Sequence, residues 1–547
     1  MPRGIRCAAA HESAQVIGSQ YSAQVAVSLE ELMATKRTNS EIVRVLDQLD
    51  LGSSVAELDQ LLEVSRVETS AFSDLLSDKV DLVPGTKGSG KSALFRMFTD
   101  FLPGALLEQK KVVVAHGVQK QGDLIFQAFK EEFERLSEDD FVDFWCIYLV
   151  SLAHEHFIKG KRYTQLLSGA KAEVDVFRKA CENANIPEIK AEKSFREILA
   201  WALNALRKFA PRLRYEMPND AGSVELDLFG VPITEKPLRS KEGVDKEPPV
   251  YVLEIKESLE AVLQKCGVSV WLMVDKLDEL FPRRSAVESR ALRGLLRTMR
   301  VFASEQIRVK VFLRDDMLEN LLASGDGFTA LTHLTARQAD TLRWSEDQIL
   351  TLVVKRLFAC EALRELLGVD SQRIMASLDY RRDCFYRVFL KTVHPGSRQS
   401  STIRWIINHC SDARGVVTPR DVIDLLTKAK QRQRDESSAN GSSETEIVIG
   451  SSAIQYGYEQ LSIKKRQTYL QAEFPHLWPH IEKFQGGKAS FSEQSAERLL
   501  GTKAKSILAD LVGIGLLSMS HRGNVPTYTF PHLYRKGLDL TQGSDDQ

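Results

Sequence analysis

The sequence predicts an α/β fold built on a parallel sheet, and three observations predict it. Apolar runs of strand length at 80–83, 111–115, 268–274 and 309–313 alternate with segments of helical periodicity, as a doubly wound sheet requires. Residues 85–92 read Gly-Thr-Lys-Gly-Ser-Gly-Lys-Ser, directly after the first run and directly before a helical stretch at 92–101. The run 268–274 ends on Asp275, an acidic residue at the strand end where open α/β sheets bind their ligands.

The elements can be taken in order. At roughly 100–200 residues per domain, 547 residues hold about three folding units. Residues 1–45 mix small and polar residues around a candidate helix at 28–36 and form an N-terminal extension. Helices at 55–64 and 68–76 lead into the first strand, and the core spans 46–340. From about 120 to 250 the alternation stops. Amphipathic helices at 122–136, 139–157, 170–184 and 194–208, then a Pro- and Gly-bearing stretch at 211–249, form a helical insertion. The core resumes with a helix at 252–265, the strand 268–274, an Arg-rich helix at 285–304 and the strand 309–313. Helices fill 341–432. Residues 433–452, with their Ser-Ser-Ala-Asn-Gly-Ser-Ser run, are too polar to fold alone and form a linker, and a last unit spans 453–540.

Composition is that of a soluble globular protein, with 43% hydrophobic and 27% charged residues. The net charge of −1, from 73 basic and 74 acidic side chains, excludes a global field for nucleic acid or membrane, so any such affinity is local. No apolar run approaches the ~20 residues of a membrane helix. The first ten residues lack the apolar stretch of a secretory signal, and the expected location is cytoplasmic. Seven scattered cysteines without a CxxC pair indicate reduced thiols, not a zinc site or disulfide framework.

In the glycine-rich loop, side chains at Gly85, Gly88 and Gly90 would obstruct the concavity into which consecutive backbone N–H groups point. That concavity suits the phosphates of ATP, and Thr86, Lys87 and Ser89 complete the cradle. Lys91 reaches the β and γ phosphates, Ser92 places a hydroxyl on Mg²⁺, and the positive end of the following helix adds to the anion site. Hydrolysis needs a second acidic group, which Asp275 supplies as a Mg²⁺ ligand, direct or through water. Asp278 and Glu279 follow at once. One of them polarises the attacking water, or both cap the next turn, and the sequence does not choose between them. The run 309–313 ends in Arg314-Asp315-Asp316, so that Arg314 either faces the γ-phosphate or forms an ion pair with Asp315 or Asp316. Thr418-Pro419-Arg420-Asp421 is a helix start, with Thr418 as N-cap, Pro419 at the first position and Asp421 completing a capping box. Arg420 opposes the helix dipole there, and a phosphate partner would explain it.

Through Gly-Thr-Lys-Gly-Ser-Gly-Lys-Ser, Val-Asp-Lys-Leu-Asp-Glu-Leu, Phe-Leu-Arg-Asp-Asp and Thr-Pro-Arg-Asp, the chain resembles the AAA+/STAND branch of P-loop ATPases. That branch includes origin-recognition-type, KAP and NACHT proteins, and the likeness is greatest to a family of bacterial P-loop ATPases over roughly 50–538. The resemblance implies that Asp275 is the Walker B metal residue, that Asp278 and Glu279 belong to the water-activating pair, and that Arg314 is a sensor arginine. It likewise implies that Arg420 is a second sensor in a helical lid. Lys276 departs from the pattern, since NACHT-like proteins carry Gly there.

The C-terminal unit is similar to the winged helix of that branch. Its residues read independently as a helix at 476–484, a strand at 489–491, helices at 493–500 and 503–512, and a hairpin whose strands 516–520 and 527–530 flank His521, Arg522 and Gly523. It carries 11 basic and 7 acidic side chains, and Lys503, Lys505 and Arg522 fall on the third helix and wing that approach double-stranded DNA in such domains. A winged helix used for protein contacts is the alternative. The resemblance implies an ATP-hydrolysing switch engaging DNA or a protein partner, in phage defence or DNA maintenance. A signalling scaffold, assembling as a homo-oligomer and holding nucleotide with little turnover, is the rival. Arg283, Arg284 and Arg297 are candidates for an arginine acting in a neighbouring copy, or a solvated helix face.

Overall fold

The computed structural model describes residues 36–117, 130–183, 250–280, 285–323, 335–440, 443–523 and 525–544. Their contacts divide into two units: one runs from Ser70 to Leu342, and the other joins the residues up to Thr69 with those from Arg343 onward.

The Ser70–Leu342 unit is an α/β layer structure. Four parallel strands lie in the spatial order Leu82–Gly85, Ile307–Arg314, Ser269–Val274, Val112–His116. All four are buried along most of their length, which is why they read as near-continuous apolar runs. One strand therefore separates the strand that enters the glycine-rich loop from the strand that ends at Asp275. On the outer side of Leu82–Gly85, residues 337–342 run alongside in parallel. Ala339 N–H donates to Leu82 O at 2.8 Å and Leu342 N–H to Pro84 O at 2.9 Å. The strand that enters the glycine-rich loop is thus flanked on both sides.

A buried charge network pins the other end of this strand. Lys310, 0% exposed, donates to Val80 O at 2.7 Å and to Asp81 at 2.8 Å, pairs with Asp78, and sits 4.7 Å from the Trp271 ring centroid. Arg337 closes the network onto Asp81. A lysine this deeply buried persists only with partners of this kind.

The insertion contributes to the core. Helix Glu138–Ala153 is buried on nearly every side, so it is apolar all round instead of amphipathic. Trp145 Nε1 donates to Ala291 O at 2.8 Å, and a side chain on Gly294 of helix Ala286–Phe302 would meet Phe141 Cβ at 2.6 Å, so the two helices touch at that glycine. Of the other helices expected here, Lys171–Asn183 corresponds to 170–184, and Lys130–Arg135 is the described part of 122–136. The one at 194–208 lies outside the described residues.

The second unit is largely helical. Helix Asn39–Gln48, opened by a capping box of Thr38 and Glu41, packs on the long helix Pro419–Ala439. Its buried Ile42, Val45 and Leu46 share one continuous core with Leu425, Leu426, Phe491 and Phe530. Residues 36–69 accordingly group with the residues from Arg343 onward, and the α/β unit begins at Ser70 instead of the 46 expected from sequence. The helix expected at 55–64 is only a single turn, Ala56–Leu58. The reason is Asp59, whose carboxylate takes the N–H groups of Ser53 and Leu61 and forms a buried ion pair with Arg356.

The polar segment at 433–452, expected to be a linker, is folded over its described part. Helix Pro419–Ala439 continues through it, Glu444–Thr445 pairs with Arg37–Thr38, and Val448 and Ile449 are fully buried. Its charged residues lie on the helix surface and make ion pairs, Glu436 with Arg432 at 2.7 Å and Arg434 with Asp47 at 2.8 Å, so their polarity marks a helix surface and not an unfolded chain. Helix Ser451–Lys465 packs closely on the same long helix, at Gly457, where a Cβ would lie 2.3 Å from Leu425 O. Beyond it come helix Trp478–Ile481, strand Lys488–Ser492, helices Glu493–Leu500 and Ala504–Gly513, and a hairpin of Ser518–Arg522 with Val525–Thr529. Among the described residues no helix is long and apolar enough to cross a membrane.

Candidate functional site

Strand Leu82–Gly85 delivers the chain to the glycine-rich loop at the carboxyl edge of the sheet. Gly88 and Gly90 take φ of +85° and +103°, a region that side-chain-bearing residues rarely enter. A Cβ on Gly85 would lie 2.6 Å from Ser89 Oγ, so this position has room only for hydrogen. Helix Lys91–Arg96 begins at Gly90 without a side-chain cap and runs on through the wider turn Met97–Phe101. Its first N–H groups are those an anion can occupy. Thr86 is buried with its hydroxyl unpartnered, and Lys87 is exposed.

Lys91 folds back over the loop, its Nζ donating to Gly85 O at 2.7 Å and Thr86 O at 2.9 Å. Burial lowers its pKa, and the carboxylates of Asp275 and Asp278 oppose that shift. The ammonium and both carboxylates therefore share one electrostatic neighbourhood.

Asp275 caps the strand Ser269–Val274 and is buried, accepting hydrogen bonds from the Lys276 N–H and the Ser92 hydroxyl. Its Oδ2 is buried without a partner. Burial pushes its pKa up to about 6, with Lys276, Ser92 and Lys91 pulling the other way. A buried carboxylate with an orphaned oxygen beside a serine hydroxyl is the hard oxygen donor set that Mg²⁺ prefers, so the residues present fit that ion.

A pH dependence follows from this carboxyl. A cation beside Asp275 would favour its anion, so below about pH 6 binding of a cation there would release a proton. Mg·ATP affinity should rise as pH increases through about 6 and then level off, more steeply than in the Asp275→Asn variant, which lacks that proton. Titration calorimetry at several pH values on both proteins checks this. Without ligand the sign reverses. The folded state holds the proton more tightly than the unfolded chain, so this group's contribution to stability falls as pH rises from the ordinary carboxylate range to about 6.

The turn after Asp275 accounts for the unusual lysine. Lys276 has φ 60° and ψ 33°, the left-handed conformation in which glycine is most at ease, at a cost of roughly 1–2 kcal/mol for any other residue. The backbone path that Gly would provide is thus kept with a side chain on it. The single turn Leu277–Glu279 then sorts the two acidic residues. The Asp278 carboxylate, 25% exposed, lies 3.6 Å from Arg314 Nη1 and its charge reaches Lys91 and Asp275, whereas Glu279 is exposed.

Arg314 ends its strand in register with Gly85. Its side chain is 6% exposed and is gripped by Asp316, Nε to Oδ1 at 2.9 Å and Nη2 to Oδ2 at 2.8 Å. Of the ion pairs weighed from sequence, the one with Asp316 forms, but in a buried setting beside Asp278. Arg420 belongs to the other unit, where its Nε donates to Ser54 O at 3.3 Å. Thr418 caps that helix as expected by accepting from Asp421 N–H. The reciprocal half of the capping box is replaced by an ion pair of Asp421 with Lys465 at 2.8 Å.

The other candidate cations are dispersed. Arg297 pairs with Glu138 and Asp139, and Arg283 and Arg284 lie outside the described residues. Lys503 is exposed, Lys505 pairs with Glu493 at 3.2 Å, and Arg522 ends the first strand of the hairpin. Part of the basic excess of 453–540 is also neutralised from outside that segment, Lys464 by Asp424 and Lys465 by Asp421. Of the two aspartates weighed as partners of Arg314, Asp316 is the one that fixes it. A residue with no such signal is His116, which closes its strand with its ring edge-on to Phe95 of the helix after the glycine-rich loop and 4.7 Å from the ring of His156. A histidine ending an apolar run carries no sequence signal that separates it from an ordinary packed one.

No protein-family profile matches the chain, and no curated protein matches it. Among solved structures it is similar to a Walker-type ATPase of Pyrococcus abyssi, with a TM-score of 0.36 and 10% identity over 89% of this chain and 98% of that one. It is also similar to the ORC1 protein of Aeropyrum pernix, solved in complex with DNA, with a TM-score of 0.30 and 12% identity over 92% of this chain and 93% of that one.

Proposed function

We propose that the chain is a P-loop ATPase of the AAA+ kind that binds Mg·ATP, hydrolyses it and uses the cycle as a switch on DNA or a protein partner. The observation that carries this reading is the buried Asp275, with one oxygen orphaned, beside Ser92 at the foot of a left-handed-glycine loop closed by Lys91. In this reading the loop amides and Lys91 hold the phosphates, and Ser92 and Asp275 hold Mg²⁺. The ion, when bound, neutralises phosphate charge. Asp278 orients and deprotonates the attacking water, favoured over Glu279 because it lies half-buried beside the other charged groups. Arg314 meets the charge that develops on the γ-phosphate.

The finer domain reading belongs to the same proposal. Residues 341–432 act as a helical lid carrying Arg420 as second sensor, and 453–540 act as a winged helix. Their order of helix, strand, two helices and hairpin supports the latter. Double-stranded DNA is the partner suggested by Lys503, Lys505 and Arg522, with a homo-oligomer or another protein as the alternative.

ATP turnover measured with and without double-stranded DNA tests the reading. The expected result is basal hydrolysis raised by DNA. Tight nucleotide retention with negligible turnover in both conditions would replace the switch by a signalling scaffold that holds nucleotide structurally.

A further inference from the structure

Resting on the reading above, we propose that Asp316 is a positioning residue that holds Arg314 ready for the γ-phosphate, while Asp278 is the partner the arginine gives up. The two carboxylates grip the guanidinium unequally. Asp316 makes two parallel bonds of 2.9 and 2.8 Å, whereas Asp278 stands 3.6 Å from Nη1, beyond hydrogen-bond length.

The tighter grip is also the better anchored. Asp316 Oδ1 accepts the Met317 N–H at 3.1 Å at the start of helix Asp315–Ala323, and Arg314 ends a sheet strand in register with Gly85. Both ends of the fork are therefore fixed to regular backbone only two residues apart. A guanidinium that is 6% exposed has little freedom outside that plane. An anion arriving beside Lys91 competes with the looser contact to Asp278 and leaves the fork intact. The arginine is then oriented in advance, and the Asp278 carboxylate is released for water at the moment a γ-phosphate is present.

This assignment is tested by the ratio of ATP to ADP affinity, measured by displacement of a fluorescent nucleotide from the full-length protein. Arg314→Ala should reduce the preference for ATP by about 10-fold, the worth of a charge-assisted bidentate contact. Asp316→Asn keeps the arginine and weakens the fork, and it should reduce the preference by about 3-fold or more with ADP affinity unchanged. Asp316→Ser, which keeps an acceptor for the Met317 amide, should show the same loss and serves if the Asn variant does not fold. The double variant Arg314→Ala with Asp316→Asn should be no worse than Arg314→Ala alone, because Asp316 acts through the arginine. Additive losses, or an unchanged ratio in both Asp316 variants while Arg314→Ala lowers it, overturn the positioning role and leave the ATPase reading standing. An unchanged ratio in Arg314→Ala removes the arginine from the γ-phosphate and both assignments fall.

Discussion

Lys91→Ala is expected to weaken ATP binding by about 10²-fold or more, because a charged hydrogen-bond donor in a buried site contributes roughly 1.5–3 kcal/mol and this one would serve two phosphates. Without nucleotide the ammonium already lies over the loop, bonded to Gly85 O and Thr86 O, and its surroundings are acidic. Removing it leaves Asp275 and Asp278 to repel the incoming phosphates without the buried cation that offsets them. The exposed Lys87 is the nearest rival in the sequence, so Lys87→Ala is the matched control and should cost far less. A fluorescent-nucleotide titration reads both variants. Unchanged affinity in Lys91→Ala would show that the loop is not where ATP binds.

The second large effect is on turnover. Asp278→Asn preserves side-chain volume and removes the carboxylate, so kcat should fall by ~10²-fold or more while ATP binding persists. Glu279→Gln should change kcat by less than about 2-fold, since the side chain is exposed and the substitution keeps its volume. Steady-state hydrolysis alongside nucleotide affinity separates the two outcomes. If Glu279→Gln abolishes turnover and Asp278→Asn does not, the roles are reversed. If both retain full activity, water is oriented elsewhere.

The sheet was legible because a parallel strand covered on both faces has no polar side to interrupt it, so Val112–His116 and Ser269–Val274 stand out as plain apolar runs. The glycine-rich loop was legible for a different reason. Its backbone enters φ > 0 at Gly88 and Gly90, which restricts those positions to one residue type. What escaped was whatever depended on partners distant in the chain. Asp59 breaks the helix expected around it by bonding to Arg356, 297 residues on, and Arg420 takes the carbonyl of Ser54, 366 residues back. Neither partner leaves a trace in local periodicity. The segment after 431 reads as disordered by composition, yet its arginines reach Glu436 and Asp47, and polar helix surface and unfolded chain differ only in such contacts. Asp316 was seen only as one of two possible ion-pair partners. Burial, which turns a surface pair into a fixed fork, is not written in a two-residue spacing.

The run of 337–342 leaves no open edge beside the strand that enters the glycine-rich loop. Leu342 is the last residue of the α/β unit, and its amide is bonded to Pro84, one residue before the first loop glycine. A single added methyl at Gly85 would stand 3.2 Å from Leu342 Cβ, so nothing compressible fills the space between them. The entrance to the loop and the last residue of this unit are therefore held together twice, by the Leu342–Pro84 hydrogen bond and by the close approach of Leu342 to Gly85.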